Sequence, residues 1–155
     1  FTGKKYYTLN KNIISIQTRL GNIVSLQDDT IVENNKFSLG GRWLRGFDTY
    51  GAGPRNSRTS YVGGNNLFVT KLDFSKPLYS NTDNPIDLYV FTDFGTVYGN
   101  KNNPSYTDNK IRSSYGYGIK FYSIIGPIGF SWAFPISDES YDIKRMFLFS
   151  VGNIN

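Results

Sequence analysis

Apolar and polar positions alternate with a period of two through most of the chain. Ile14, Ile16, Thr18 and Leu20 are apolar or β-branched, and Ser15, Gln17, Arg19 and Gly21 between them are polar or small. Phe68, Thr70, Leu72 and Phe74 alternate with Val69, Lys71, Asp73 and Ser75, and Leu88, Val90, Thr92 and Phe94 alternate with Asp87, Tyr89, Phe91 and Asp93. The pattern continues with Tyr115, Tyr117, Ile119 and Phe121 against Ser114, Gly116, Gly118 and Lys120. Ile128, Phe130, Trp132, Phe134 and Ile136 then alternate with Gly129, Ser131 and Ala133, and Phe147, Phe149 and Val151 with Leu148, Ser150 and Gly152. A dyad repeat places successive side chains on opposite faces of a β-strand. With a stub over residues 4–9, the pattern predicts about seven strands in an all-β, antiparallel fold and no competing helix.

The connections predicted at 10–12, 79–85 and 125–127 are short, and those at 27–64, 99–110 and 137–144 are longer. Short turns on one side and long loops on the other characterise an outer-membrane barrel. A soluble sandwich shows the same alternation, with its apolar face buried and its polar face wet. Three features point to the membrane barrel. The strands run to about 11 residues, enough for a tilted bilayer crossing. Tyr, Phe and Trp crowd the apolar face and the strand ends, as interfacial girdles do. The other face carries Gly and charges instead of a second set of core residues. No apolar run approaches the roughly 18 residues of a membrane helix, which a barrel does not need.

The long segment 27–64 carries Phe37, Leu39, Trp43, Leu44, Phe47 and Tyr50. A loop that only dangles in water is polar, so this one is expected to fold back into the barrel. Within it, Arg45 requires a carboxylate. With the β-turn between the third and fourth strands centred near Asp83, antiparallel pairing places Asp73 opposite Asp93, Leu72 opposite Phe94 and Thr70 opposite Thr96. Two carboxylates across a ladder repel unless a cation lies between them. A planar guanidinium can bridge both with charge-assisted bonds in a way Lys cannot. Gly46 would allow close backbone approach, and Gly40 and Gly41 would permit the turn that aims Arg45. One reading is therefore a loop clamp of Arg45, Asp73 and Asp93. The other is three unrelated polar residues facing water in a channel. Arg19, Lys71, Arg112 and Lys120 share the inward face and read as solvation of the lumen wall.

Composition narrows the chemistry. Among 155 residues there is no Cys and no His, which excludes disulfides, thiolate metal sites and the usual general base. The 17 Lys and Arg exceed the 12 Asp and Glu, but they form no dense basic run of the kind that binds nucleic acid. No catalytic residue, metal site or cofactor is indicated, and the chain is not expected to be an enzyme.

Phe37-Ser-Leu-Gly-Gly-Arg-Trp-Leu-Arg-Gly-Phe47, followed by Gly51-Ala-Gly-Pro-Arg55, resembles the sixth extracellular loop of the BamA family of outer-membrane protein assembly factors, with its Gly-Gly…Arg-Gly-Phe signature. The resemblance continues in order through Val62-Gly-Gly-Asn65, Leu72-Asp-Phe74, Phe91-Thr-Asp-Phe-Gly-Thr-Val97, Ile111-Arg-Ser-Ser, Gly126-Pro-Ile-Gly-Phe-Ser131 and Phe147-Leu-Phe-Ser-Val-Gly152. It implies that residues 1–155 form the C-terminal part of a sixteen-stranded barrel in the bacterial outer membrane. The periplasmic POTRA domains and the first half of the barrel would lie outside the chain. It also implies a lumenal loop in which Arg45, Gly46 and Phe47 meet Asp73 and Asp93. A lateral-gate strand would carry Phe147, Phe149, Val151 and Gly152, within residues 145–154. Implied partners are client β-barrel proteins, assembly-complex lipoproteins and outer-membrane lipid, with no nucleic acid. The chain departs from the family in ending Gly152-Asn-Ile-Asn155, where an aromatic residue is usual. Within the superfamily, a two-partner secretion transporter or a TamA-like translocation factor shares the Arg-Gly-Phe/Tyr loop. A passive outer-membrane channel is the alternative from another class.

Overall fold

A computed structural model describes residues 1–25, 31–57, 59–79, 85–100, 109–124 and 126–152. Its elements are β1 (Thr2–Leu9), β2 (Asn12–Asn22), a short 3-10 turn (Glu33–Asn35), β3 (Gly46–Phe47), β4 (Asn66–Tyr79), β5 (Ile86–Tyr98), β6 (Arg112–Ser123), β7 (Gly126–Ser137), β8 (Lys144–Arg145) and β9 (Phe147–Val151). Seven strands form one sheet in the order β1-β2-β4-β5-β6-β7-β9, every pair antiparallel. β3 and β8 form a separate two-stranded ribbon above its inner face. Among the described residues, no helix is long and apolar enough to cross a membrane.

The dyad pattern becomes two faces with opposite surroundings. The outer face leaves Phe68, Phe74, Leu88, Val90, Tyr115, Tyr117, Trp132, Phe147 and Phe149 exposed. Aromatic neighbours pair across strands there, Tyr117 with Trp132 at 5.8 Å and Phe130 with Phe149 at 5.2 Å between ring centroids. Apolar side chains facing outward from a sheet whose other face is covered are what hydrocarbon requires and water opposes.

The inner face departs from the sequence expectation. It holds a second apolar core, in which Leu67, Val69 and Val97 of the sheet pack with Leu39, Leu44, Phe47 and Ala52 of the long loop. Charges alone would leave the loop's apolar residues wet, so the sheet supplies small apolar positions at one end of the strands. The loop is internally paired, with bridges from Phe37 to Gly64, Leu39 to Ala52 and Arg55 to Tyr61.

The β4–β5 register also differs from the one predicted. Asp73 lies opposite Phe91, Lys71 opposite Asp93, Leu72 opposite Thr92 and Thr70 opposite Phe94. The register shifts between Pro77 and Tyr79. Proline cannot donate to the ladder and is found at such irregularities. Tyr79 lies opposite Ile86 and Pro77 opposite Asp87, so the bulge puts one extra residue in β4 and offsets the pairing of the strand bodies by one position. Asp83, the assumed turn centre, lies outside the described residues, as do 101–108 of the next loop.

Candidate functional site: a guanidinium between two lumenal carboxylates

Asp73 and Asp93 share the inner face of adjacent strands as diagonal neighbours. Such a pair is separated by about 7–8 Å between Cα atoms, wide enough to admit a planar cation. Arg45 occupies that gap. Its Nε donates to Asp93 Oδ2 at 2.7 Å and its NH2 nitrogen to Asp93 Oδ1 at 2.6 Å. Its NH1 nitrogen donates to Asp73 Oδ1 at 2.7 Å, and its backbone N–H to Asp93 Oδ2 at 3.1 Å. The guanidinium also lies over the Phe91 ring, 3.5 Å from the centroid, in cation–π geometry.

Burial sets the strength of this arrangement. Arg45 is 6% exposed and Asp93 is fully enclosed. Burial alone would lower the arginine's pKa, but the charges and hydrogen bonds of Asp93 and then Asp73 raise it above its ordinary value. Lys71, directly across the ladder from Asp93, donates to the Arg42 carbonyl at 2.8 Å. It thereby holds the loop backbone next to the clamp. Arg19 lies over the Trp43 ring at 4.3 Å, and Arg112 is buried against Asp142. The reading of Arg19, Lys71 and Arg112 as solvated lumen wall is therefore corrected: each is engaged by a loop that covers the wall. Lys120 instead borders a polar cavity of about 140 Å³ with Arg45, Asp73, Asp87 and Tyr89.

Two backbone features deliver Arg45. Gly40 has φ of +125°, and a Cβ there would lie 1.9 Å from the Asp48 carbonyl oxygen. Gly46, at φ of +94°, brings the chain against Ser114 and Pro135, so that a Cβ would lie 3.3 Å from Ser114 Cβ. Gly41 completes the turn and donates its N–H to Phe47 O at 2.9 Å. Phe47 is buried in the inner core.

The remaining sequence-derived positions lie at the sheet's end. β9 pairs with β7 from Ile128↔Val151 to Trp132↔Phe147. Phe147, Phe149 and Val151 face outward and are exposed. Gly152 closes the pairing by donating its N–H to Pro127 O at 2.9 Å. Arg145, which the resemblance puts at the start of this strand, belongs instead to β8 and pairs with Gly46. Residues 153–155 lie outside the described residues.

Phe91, Lys71 and the Arg112–Asp142 pair were not among the predicted site residues. Phe91 was legible as an aromatic on an inward position two residues from Asp93. Asp142 carried no signal, because it lies in a stretch that reads as a polar loop.

All 155 residues match the Omp85 superfamily domain. The chain belongs to the Omp85 superfamily. This Omp85 segment is 28% identical over 117 residues to the outer membrane protein assembly factor BamA of Neorickettsia risticii, a match that covers 74% of the segment and 16% of that protein. It is also similar to the crystal structure of BamA from Haemophilus ducreyi lacking POTRA domains 1-3, with a TM-score of 0.81 and 27% identity. That likeness covers 96% of the segment and 33% of the solved chain. The Omp85 segment thus spans well under half the length of either relative, and it is a seven-stranded portion of a bacterial outer-membrane β-barrel.

Proposed function

We propose that this segment is the C-terminal part of the barrel of an outer-membrane protein assembly factor, which folds client β-barrel proteins into the membrane through a lateral gate. The observation that carries the reading is the seated loop. An arginine from a 40-residue-scale insertion, of the length that usually marks a functional loop, is held by two wall carboxylates instead of projecting into solvent. The names of both relatives support the same activity.

In this reading the loop, held as one piece by Arg45, Asp73, Asp93 and Phe91, braces the inner wall beside the terminal strands. β9 then offers one side of a weak seam where a client strand adds by backbone hydrogen bonds. Its outward Phe147, Phe149 and Val151 meet lipid, and local thinning of the bilayer lowers the cost of insertion. No covalent step, metal or cofactor is needed, so the factor is not an enzyme. Client β-barrels, assembly lipoproteins and lipid are its partners.

The test is reconstitution of the full-length protein into liposomes with an unfolded β-barrel client. Folded, protease-protected client should accumulate faster than in empty liposomes. Equal rates, or a large steady conductance with no client folding, would replace the reading with a passive channel.

A further inference from the structure

A second buried ion pair ties the connection between β7 and β9 to the barrel wall. Arg112 and Asp142 are 1% and 4% exposed. Arg112 Nε donates to Asp142 Oδ2 at 3.0 Å and its NH2 nitrogen to Asp142 Oδ1 at 3.2 Å. The same guanidinium donates to Lys110 O at 3.1 Å and to the Tyr141 hydroxyl at 3.3 Å. Asp142 Oδ2 also accepts the Glu139 N–H at 2.8 Å, which closes the 139–142 turn around the carboxylate. Arg112 belongs to the barrel wall and Asp142 to the connection between β7 and β9, so the pair fixes that connection to the wall.

The fixed connection grips the inserted loop immediately after its Arg-Gly-Phe tripeptide. Asp48 N–H donates to Ile143 O at 2.9 Å, and Ile143 N–H donates to Gly51 O at 2.9 Å. Gly46 and Phe47 pair with Arg145 and Lys144 as β3 and β8. Arg145 reaches Asp48 at 3.1 Å. The grip continues into the sheet. Only Met146 separates β8 from β9, and its carbonyl accepts the Ala133 N–H of β7 at 2.8 Å. Residues 142 to 147 are therefore held, in succession, by the wall, by the inserted loop and by the sheet.

We infer that Arg112 and Asp142 form a positioning latch that seats the 138–145 connection on the inserted loop and so couples the seating of that loop to the pairing of β9. Neither residue touches Arg45, Asp73 or Asp93 through any bond described above. The latch acts through backbone pairing at 46–51 and 143–145. A buried bidentate pair suits this role because removing one partner strands the other in a dry site. The consequence for assembly rests on the function proposed above, whereas the coupling itself does not.

The experiment uses the full-length protein in liposomes, with Asp48→Cys and Ile143→Cys as a crosslinking pair across the grip. The 155-residue segment has no native cysteine to interfere. Arg112→Ala and Asp142→Ala should each lower crosslink yield and raise deuterium uptake at 147–151, by roughly fivefold or more, the low end of coupling between linked sites. The double variant should be no worse than either single one, because the two act as a unit. Oxidising the 48–143 pair in the Asp142→Ala background should restore protection at 147–151, a rescue that a generally unfolded barrel could not give. Full crosslinking with unchanged uptake in both single variants would overturn the latch, as would failure of the oxidised pair to restore protection. If the coupling behaves as expected but the unmodified protein folds no client, the latch stands and the assembly reading falls.

Discussion

Arg45 and Asp93 are joined by three hydrogen bonds, two from the guanidinium and one from the arginine's own backbone N–H. The backbone bond matters because it fixes where the loop lies as well as where the side chain ends. The acid is fully enclosed, so water cannot replace a lost partner. Truncating one member of a buried pair costs about 3–5 kcal/mol, mostly from the charge left behind. Arg45→Ala should therefore unseat the loop in the full-length protein. Arg45→Lys should restore part of the stability, since an ammonium keeps the charge and loses the fork. Protease protection of residues 37–64, together with thermal unfolding in detergent, checks both. Equal protection in Arg45→Ala and the unmodified protein would remove the clamp.

The two carboxylates are not equivalent. Asp93 accepts three bonds, whereas Asp73 accepts one from Arg45 and a long contact of 3.4 Å from Ser15. Asp93→Asn should destabilise the loop more than Asp73→Asn. Double-mutant cycles with Arg45→Ala should give a larger coupling for the 45–93 pair than for the 45–73 pair, within the range of about 0.5–3 kcal/mol typical of contacting residues. A larger coupling at Asp73 would reverse the assignment of the main anchor.

The inward positions of Asp73 and Asp93, and the apolar loop that carries Arg45, were legible because a dyad repeat fixes faces without tertiary information. The offset between the acids was not. Tyr79 pairs with Ile86, one position from the expected partner, and the shift between Pro77 and Tyr79 adds one more, an extra residue in one strand that a turn centre read from sequence cannot register. The structure turns a face-to-face pair into a diagonal one, and the diagonal leaves the gap the guanidinium fills. Lys71 was legible as inward but not as a donor to Arg42, because the loop's path is set by Gly40 and by packing at Leu44 and Phe47. Asp142 was hidden for a similar reason. Its partner Arg112 lies thirty positions earlier, and nothing local distinguishes it from the half-buried acids nearby, Asp138 and Glu139.

The path of the loop can be tested at Gly40. Its φ of +125° is rarely adopted by L-residues, and a methyl group would meet the Asp48 carbonyl oxygen. That oxygen accepts the Gly51 N–H at 2.7 Å and has little freedom to retreat. Gly40→Ala should lower the unfolding temperature and the protease protection of the loop, by at least the 1–3 kcal/mol or so associated with strained backbone positions. Thr49→Ala, at an exposed loop position, should change neither by more than about 0.5 kcal/mol. Comparable effects at the two positions would mean that the turn is not held as described.

The orientation of β9 gives a test independent of the loop. Phe149 faces outward and is 53% exposed, its ring tilted against that of Phe130, while Ser150 faces inward and lies 3.4 Å from the Gly129 carbonyl. In water the two positions would tolerate lysine about equally, because neither is deeply enclosed. In a bilayer they would not. A lysine on the lipid face costs about 2–4 kcal/mol near the midplane, and a lumen-facing one is hydrated. Phe149→Lys should therefore lower the urea midpoint for unfolding from lipid vesicles well below that of Ser150→Lys. The difference should shrink in short-chain detergent, where the side chain reaches water more easily. A larger loss from Ser150→Lys would put the aromatic face inside the barrel, and with it the clamp and the loop on the wrong side of the wall.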